Sequence, residues 1–185
     1  MPRILRLILI VFATIALTYG LVLYVGVRGF LFAWTLNMML MMCVFLFTET
    51  LKSGFLSTYY YEKTWEVKGK VYENLGINYF RKLLVLLGWE KFNKKSNPVN
   101  NSTEALLHLH YRTMQSELGH IIILFIVLGF SMYVAFKFGI VASLWLLTLN
   151  ILMNLYPIFL QRYNRPRLNR AITLRRYRER QNVPL

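Results

Sequence analysis

Apolar residues run almost unbroken through four stretches of the chain, roughly Ile4–Val27, Phe30–Leu51, His120–Phe136 and Phe138–Leu160. Each is close to the ~20 residues a helix needs to cross a ~30 Å hydrocarbon layer. The pattern predicts an all-α membrane protein with about four transmembrane helices, forming a single membrane domain over residues 1–185. The first stretch is longer than the apolar core of a signal peptide and lacks a clear A-x-A cleavage site, so it is read as a retained span. "KFG", between the last two stretches, reads as a tight hairpin.

Between the second and third stretches the pattern changes. "STYYYEKTWEVKGKVYENLGINYFRKLLVLLGWEKF" interleaves aromatic residues with Lys and Glu, a mixture suited to the headgroup zone. Residues 52–119 are therefore expected to form an interfacial, amphipathic cytoplasmic region. "YFRKLLVLLGW" is too short to span and reads as an interfacial or re-entrant segment. "NKKSNPVNNSTE" is a turn-rich break, with Ser102 or Thr103 as the N-cap of a helix continuing into the third span. The sequons at Asn100 and Asn101 fall on the side expected to be cytoplasmic and read as chance.

Composition sharpens this picture. The chain has 185 residues, 56% of them hydrophobic, and 22 Lys+Arg against 8 acidic residues give a net charge of +14. The positive charge is unevenly placed. Ten Lys/Arg lie in residues 52–119, eight in the basic tail 161–185 and two before the first span, while Arg28 and Lys137 stand alone in the two remaining connections. The positive-inside rule then puts both termini and the central region in the cytoplasm, with the chain in the cell inner membrane. Charge at these edges points to anionic membrane lipids as partners, not to nucleic acid. Every acidic residue is Glu, which excludes paired-aspartate chemistry, and the single cysteine, Cys43, excludes an intramolecular disulfide.

Ionisable and amide groups at membrane depth are costly, so they are the first functional candidates. Glu49 lies near the cytoplasmic end of the second span. Glu117 and His120 stand three apart at the mouth of the third, on one helix face with Thr113 and His110. A carboxylate beside an imidazole can orient it as a general base for a hydroxyl nucleophile, and the same spacing also fits a structural pair. A zinc site from His108, His110 and His120 is disfavoured because His108 and His110 point to different sides of a helix. In the fourth span Asn150, Asn154, Pro157 and Gln161 make one stripe, readable as interhelical glue or as a substrate groove. Pro157 should free a backbone carbonyl near Met153.

That stripe leads into "QRYNRPR". The tail's eight basic residues are all Arg, and guanidinium is the better fork for phosphate or carboxylate. Pro166, between Arg165 and Arg167, is expected to bend the chain and keep Arg165 extended. "LRRYRER" further on fits polybasic lipid binding.

With "ELGH" opening the preceding span and "WEVKGKVYENLGINYFRK" upstream, the chain from about Tyr61 to Arg180 resembles the glycosyl-4,4'-diaponeurosporenoate acyltransferase family of small bacterial membrane proteins. The family pattern carries over onto Glu66, Gly69, Tyr72, Glu117, His120, Asn154, Gln161, Arg162, Tyr163, Asn164, Arg165, Pro166 and Arg167. The chain departs from it at Phe80-Arg81, where relatives commonly have a tryptophan–lysine pair.

The resemblance implies esterification of a glycosylated carotenoid-type lipid with a fatty acyl group. His120 would then be the base and Glu117 its orienting partner, at the cytoplasmic interface between the third and fourth spans. Arg162, Arg165 and Arg167, with Tyr163, Asn164, Asn154, Gln161, Glu66 and Tyr72, would bind substrate. No bound cofactor or metal is expected, and the donor would be an acyl-CoA or an acyl-carrier protein. The rival readings are a small helical alkyl or methyl transferase, and a non-enzymatic membrane scaffold with a lipid-binding tail.

Overall fold

The computed structural model describes residues 1–88 and 102–181, apart from the side chains at 67 and 68. Most of the turn-rich break, including Asn100 and Asn101 of the two sequons, lies outside the described residues. Most of the described residues are helical: α1 (Arg3–Val25), α2 (Gly29–Leu51), two 3-10 turns (Thr58–Tyr60 and Thr64–Gly69), α3 (Lys70–Asn74), α4 (Ile77–Leu86), α5 (Thr103–Phe138) and α6 (Ile140–Asn150). A π turn (Ile151–Leu155) then joins α6 to α7 (Tyr156–Gln181). Four helical stretches are long and apolar enough to cross a membrane: α1, α2, α5 and the continuous run Ile140–Gln181. The expected all-α architecture with four candidate spans is therefore the observed one.

Contacts divide the chain into two units, Met1–Gly54 with Gln115–Ile158, and Phe55–Met114 with Phe159–Leu185. In the first, α2 is the central helix. Phe32, Ala33, Leu36, Leu40 and Val44 recur at helical spacing and are buried with Ile123, Val127, Val134, Leu146 and Leu149. The outer face of α1 is almost entirely exposed, which suits a helix facing lipid, where apolar side chains need no protein cover. Asn37 is the one amide in the buried stripe of α2. A buried amide must be satisfied locally or across helices, and that need builds the polar site below.

In the second unit, Ser102 caps α5: its hydroxyl accepts from the Ala105 N–H at 3.2 Å, so the expected N-cap is present. Ile77 and Phe80 are the buried positions of α4, three apart on one face, while Tyr79, Leu83, Val85 and Leu86 stay exposed. Phe80, at the departure from the family's pattern, is thus a core residue.

The helix runs past the last apolar stretch, since α7 continues through the basic tail to Gln181. One expectation needs correction: Pro166 does not bend the chain out of helix or leave Arg165 extended; it sits inside α7. Its ring removes the N–H that would bond the Arg162 carbonyl, normally a loss of ~3 kcal/mol in a helix interior. Tertiary ties on both sides of the proline, through Arg162, Tyr163, Arg165 and Arg167, hold the helix in spite of that loss.

Candidate functional site

The first unit holds a buried amide network around His120. Asn37 Nδ2 donates to the Ala33 carbonyl at 2.8 Å, and Asn150 Nδ2 donates to the Leu124 carbonyl at 3.0 Å. A carbonyl only accepts, so these bonds fix which end of each amide is nitrogen. Both side-chain oxygens then receive Asn154 Nδ2, at 2.8 Å from Asn37 Oδ1 and 2.9 Å from Asn150 Oδ1. With its nitrogen committed twice, Asn154 turns its oxygen towards His120 Nδ1, 3.4 Å away. An amide oxygen cannot donate, so this contact is a hydrogen bond in the tautomer protonated at Nδ1, the form whose lone pair lies on Nε2.

The backbone beneath this network is irregular for a stated reason. Pro157 cannot donate to the carbonyl four residues back, that of Met153, and the helix widens into a π turn in which the Tyr156 N–H bonds Ile151 five residues away. The freed carbonyl near Met153 was expected from the sequence, and it lies within hydrogen-bonding reach of the His120 ring. Asn154 sits inside the π turn and is wholly buried. Glu117, one turn before His120 on α5, is also wholly buried. The Asn154 amide lies against the His120 ring and is placed to orient the imidazole.

The QRYNRPR residues from Phe159 onward belong to the second unit. Arg162 Nη1 donates to Glu66 Oε1 at 2.8 Å and Nη2 to the Tyr59 carbonyl at 3.1 Å, with its guanidinium 4.4 Å from the centre of the Tyr59 ring. Arg165 Nη1 donates to the Tyr60 carbonyl at 3.1 Å and lies over the Tyr60 ring. Arg167 caps the Tyr163 ring at 3.6 Å, and donates to the Tyr163 carbonyl and to Glu73 Oε1. Each arginine therefore takes a tyrosine and a main-chain carbonyl, a pairing that needs a planar fork. Arg162 and Arg165 are buried, Arg167 is exposed, and Gln161 and Asn164 are half-buried.

Glu66 is the hub. Its Oε1 also receives the Tyr72 hydroxyl at 2.6 Å, and its Oε2 receives the Lys63 N–H at 2.8 Å. Burial alone would raise this carboxyl, but the Tyr72 hydroxyl, the Lys63 N–H and the Arg162 guanidinium outweigh it and hold it below the usual carboxylate range. Tyr72 is pushed well above the usual phenol value, first by burial and then by its bond to the Glu66 carboxylate. Gly69 explains the glycine of "WEVKGK": at φ +92°, a Cβ there would stand 3.3 Å from the Tyr163 carbonyl and 3.4 Å from Arg167.

Sequence reasoning had named His120, Glu117, Asn154, Glu66, Tyr72 and the arginines, and the structure groups them as two clusters, one in each unit. It missed Asn37, whose signal was a lone amide inside the apolar "TLNMML", and it missed Glu73, Tyr59 and Tyr60 as partners of the arginines. Among the described residues no three His, Cys or Glu side chains are grouped so as to hold a metal ion.

Fold and sites together define a small protein, all-α among the described residues, with four helical stretches apolar enough for a bilayer and a buried amide network against a half-buried histidine. Residues 56–174 match the family described as glycosyl-4,4'-diaponeurosporenoate acyltransferase, and the chain belongs to that family. No curated protein and no solved structure matches it.

Proposed function

We propose that this chain is an integral membrane acyltransferase that esterifies a hydroxyl of a glycosylated, carotenoid-type lipid with a fatty acyl group, His120 serving as general base. The observation that carries the reading is the amide chain Asn37–Asn154–Asn150, which presents an acceptor to Nδ1 and so keeps Nε2 basic. Nε2 takes the proton of the acceptor hydroxyl as its oxygen attacks the acyl thioester. The C–S bond breaks, and the imidazolium returns the proton to the departing thiolate. Atoms and charge balance without an acyl-enzyme. Glu117, buried one turn away on the same helix face, is in this reading the partner that helps to orient the base.

The donor in this reading is an acyl-CoA or an acyl-carrier protein. Arg162 and Arg165, committed to Glu66, Tyr59 and Tyr60, act mainly as the frame of the second unit. Arg167 and the exposed tail arginines are the groups that meet donor phosphates or anionic lipid headgroups. The charge distribution supports a cytoplasmic-membrane location with both termini in the cytoplasm. Nothing among the described residues favours alkyl or methyl transfer or a non-enzymatic scaffold.

The test is lipid profiling of a deletion strain complemented with wild type or His120→Ala. Wild type should restore one acyl ester. His120→Ala, at normal membrane abundance, should leave its hydroxyl precursor to accumulate. Full ester production by His120→Ala would remove this base.

A further inference from the structure

The second unit carries an open cleft of about 400 Å³ that no part of the acyl-transfer reading uses. One kind of wall is aromatic: Phe55, Tyr60 and Tyr61. It is held firmly. Phe55 is buried with a left-handed backbone (φ +47°), a conformation an aromatic residue keeps only when its surroundings enforce it, and its ring meets Tyr60 and Tyr111 edge-on at 5.1 and 5.2 Å. Tyr60 is pinned in turn by Arg165, which bonds its carbonyl and covers its ring. Leu56 and Met114 add aliphatic surface, and the three remaining lining groups are polar and differ in kind: the Glu62 carboxylate, the His110 imidazole and the Asn169 amide.

This combination discriminates between ligand classes. A hydrocarbon chain would cover the carboxylate, imidazole and amide without pairing them, at ~1–3 kcal/mol for each group left unsatisfied. A phosphate would be brought against Glu62. A neutral polyhydroxyl ring satisfies all three, because each hydroxyl both donates and accepts, and it offers a flat C–H face to the tyrosines. The volume lies in the range of small-molecule sites, ~300–1,000 Å³. We propose that this cleft binds the sugar ring of the glycosylated substrate, an inference that rests on the acceptor being a glycoside.

The test reads binding, so it is separate from turnover. Full-length protein in phosphatidylcholine nanodiscs is mixed with methyl β-glucoside, and saturation transfer to the pyranose C–H protons is measured by NMR. Tyr61 and Asn169 are exposed, so Tyr61→Ala and Asn169→Ala should fold normally, with unchanged melting, and should cut the transfer at least fivefold. Equal transfer in wild type and both variants, or none in wild type, would overturn the proposal. So would displacement of the glucoside by inorganic phosphate, which would make the cleft an anion site. Activity of His120→Ala in the lipid assay bears on the acyl-transfer reading alone, and glucoside binding bears on the cleft alone.

Discussion

Arg162 and Glu66 stand 96 residues apart in the chain, yet their side chains meet at 2.8 Å with both nearly buried. A lone charge of either sign at that depth would be costly, and the pair is tolerable because Tyr72, Lys63 and Tyr59 complete its hydrogen bonds. Arg162→Lys keeps the charge but cannot serve Glu66 and the Tyr59 carbonyl together, and it loses the flat face over the Tyr59 ring. The variant should insert normally and melt at a lower temperature, a loss of about 1–3 kcal/mol. Wild-type melting for the lysine variant in detergent would mean that the motif reads charge alone, as a lipid anchor does.

The same hub makes stability depend on pH at both ends. The folded-state pKa of Glu66 is depressed below its ordinary 4.5, so its contribution is complete above that value and lost as pH falls through the folded value. Tyr72 is raised above its ordinary 10.0, so its contribution is complete below pH 10 and lost as pH rises through the folded value. The hub's own contribution should therefore be level between the two and decline outside them. Tyr72→Phe should remove the part of the alkaline decline that wild type shows and this variant lacks. Identical alkaline limbs in melting curves of the two proteins would contradict that assignment.

How much of this was legible follows from the range of each signal. The spans were readable because a bilayer core demands unbroken apolar helices, a local demand written in consecutive residues. The residue types of QRYNRPR were readable too, but not their partners, since Glu66, Tyr59 and Tyr60 lie about a hundred positions away. Pro166 misled because local propensity predicts a bend, whereas the ties of Arg162 to Glu66, Arg165 to Tyr60 and Arg167 to Glu73 override it. Asn37 was visible as an isolated amide, but its role depended on Asn154, 117 residues later.

Gly69 offers a backbone test. At φ +92° a side chain costs ~1–2 kcal/mol through the left-handed conformation, and here the added methyl also presses on the Tyr163 carbonyl. Gly69→Ala should lower the melting temperature and, by shifting α7 locally, weaken the Arg167–Glu73 contact as well. Gly88→Ala, also at positive φ but with open space around its Cβ, should lower it less. Equal losses in the two variants would show that the close approach to Tyr163 carries no cost.

The charge pattern fixes an expected topology. Only Arg28 and Lys137 stand in the two short connections, against twenty basic residues elsewhere. A reporter fused after Lys137 should therefore read periplasmic, and one fused after Gln181 cytoplasmic. A reversed pair of signals would move both termini outside and discard the proposed cytoplasmic donor.

The last prediction concerns Asn37, which touches neither reacting group but holds Asn154 by accepting from its Nδ2. Asn37→Ala leaves Asn154 with Asn150 as its remaining amide partner, so the amide can rotate and present nitrogen to His120 Nδ1. That would favour the tautomer with Nε2 protonated, which cannot act as base. Turnover should fall about tenfold or more, equivalent to ~1.4 kcal/mol at the transition state, with membrane abundance unchanged. A packing defect would also lower activity, so the decisive measurement is the double variant. If Asn37 acts through the imidazole, adding Asn37→Ala to His120→Ala should cost nothing further, because the group it positions is already gone. A full additional loss in the double variant would make Asn37 a structural residue, and would leave the orientation of His120 to Asn154 and Met153 without it.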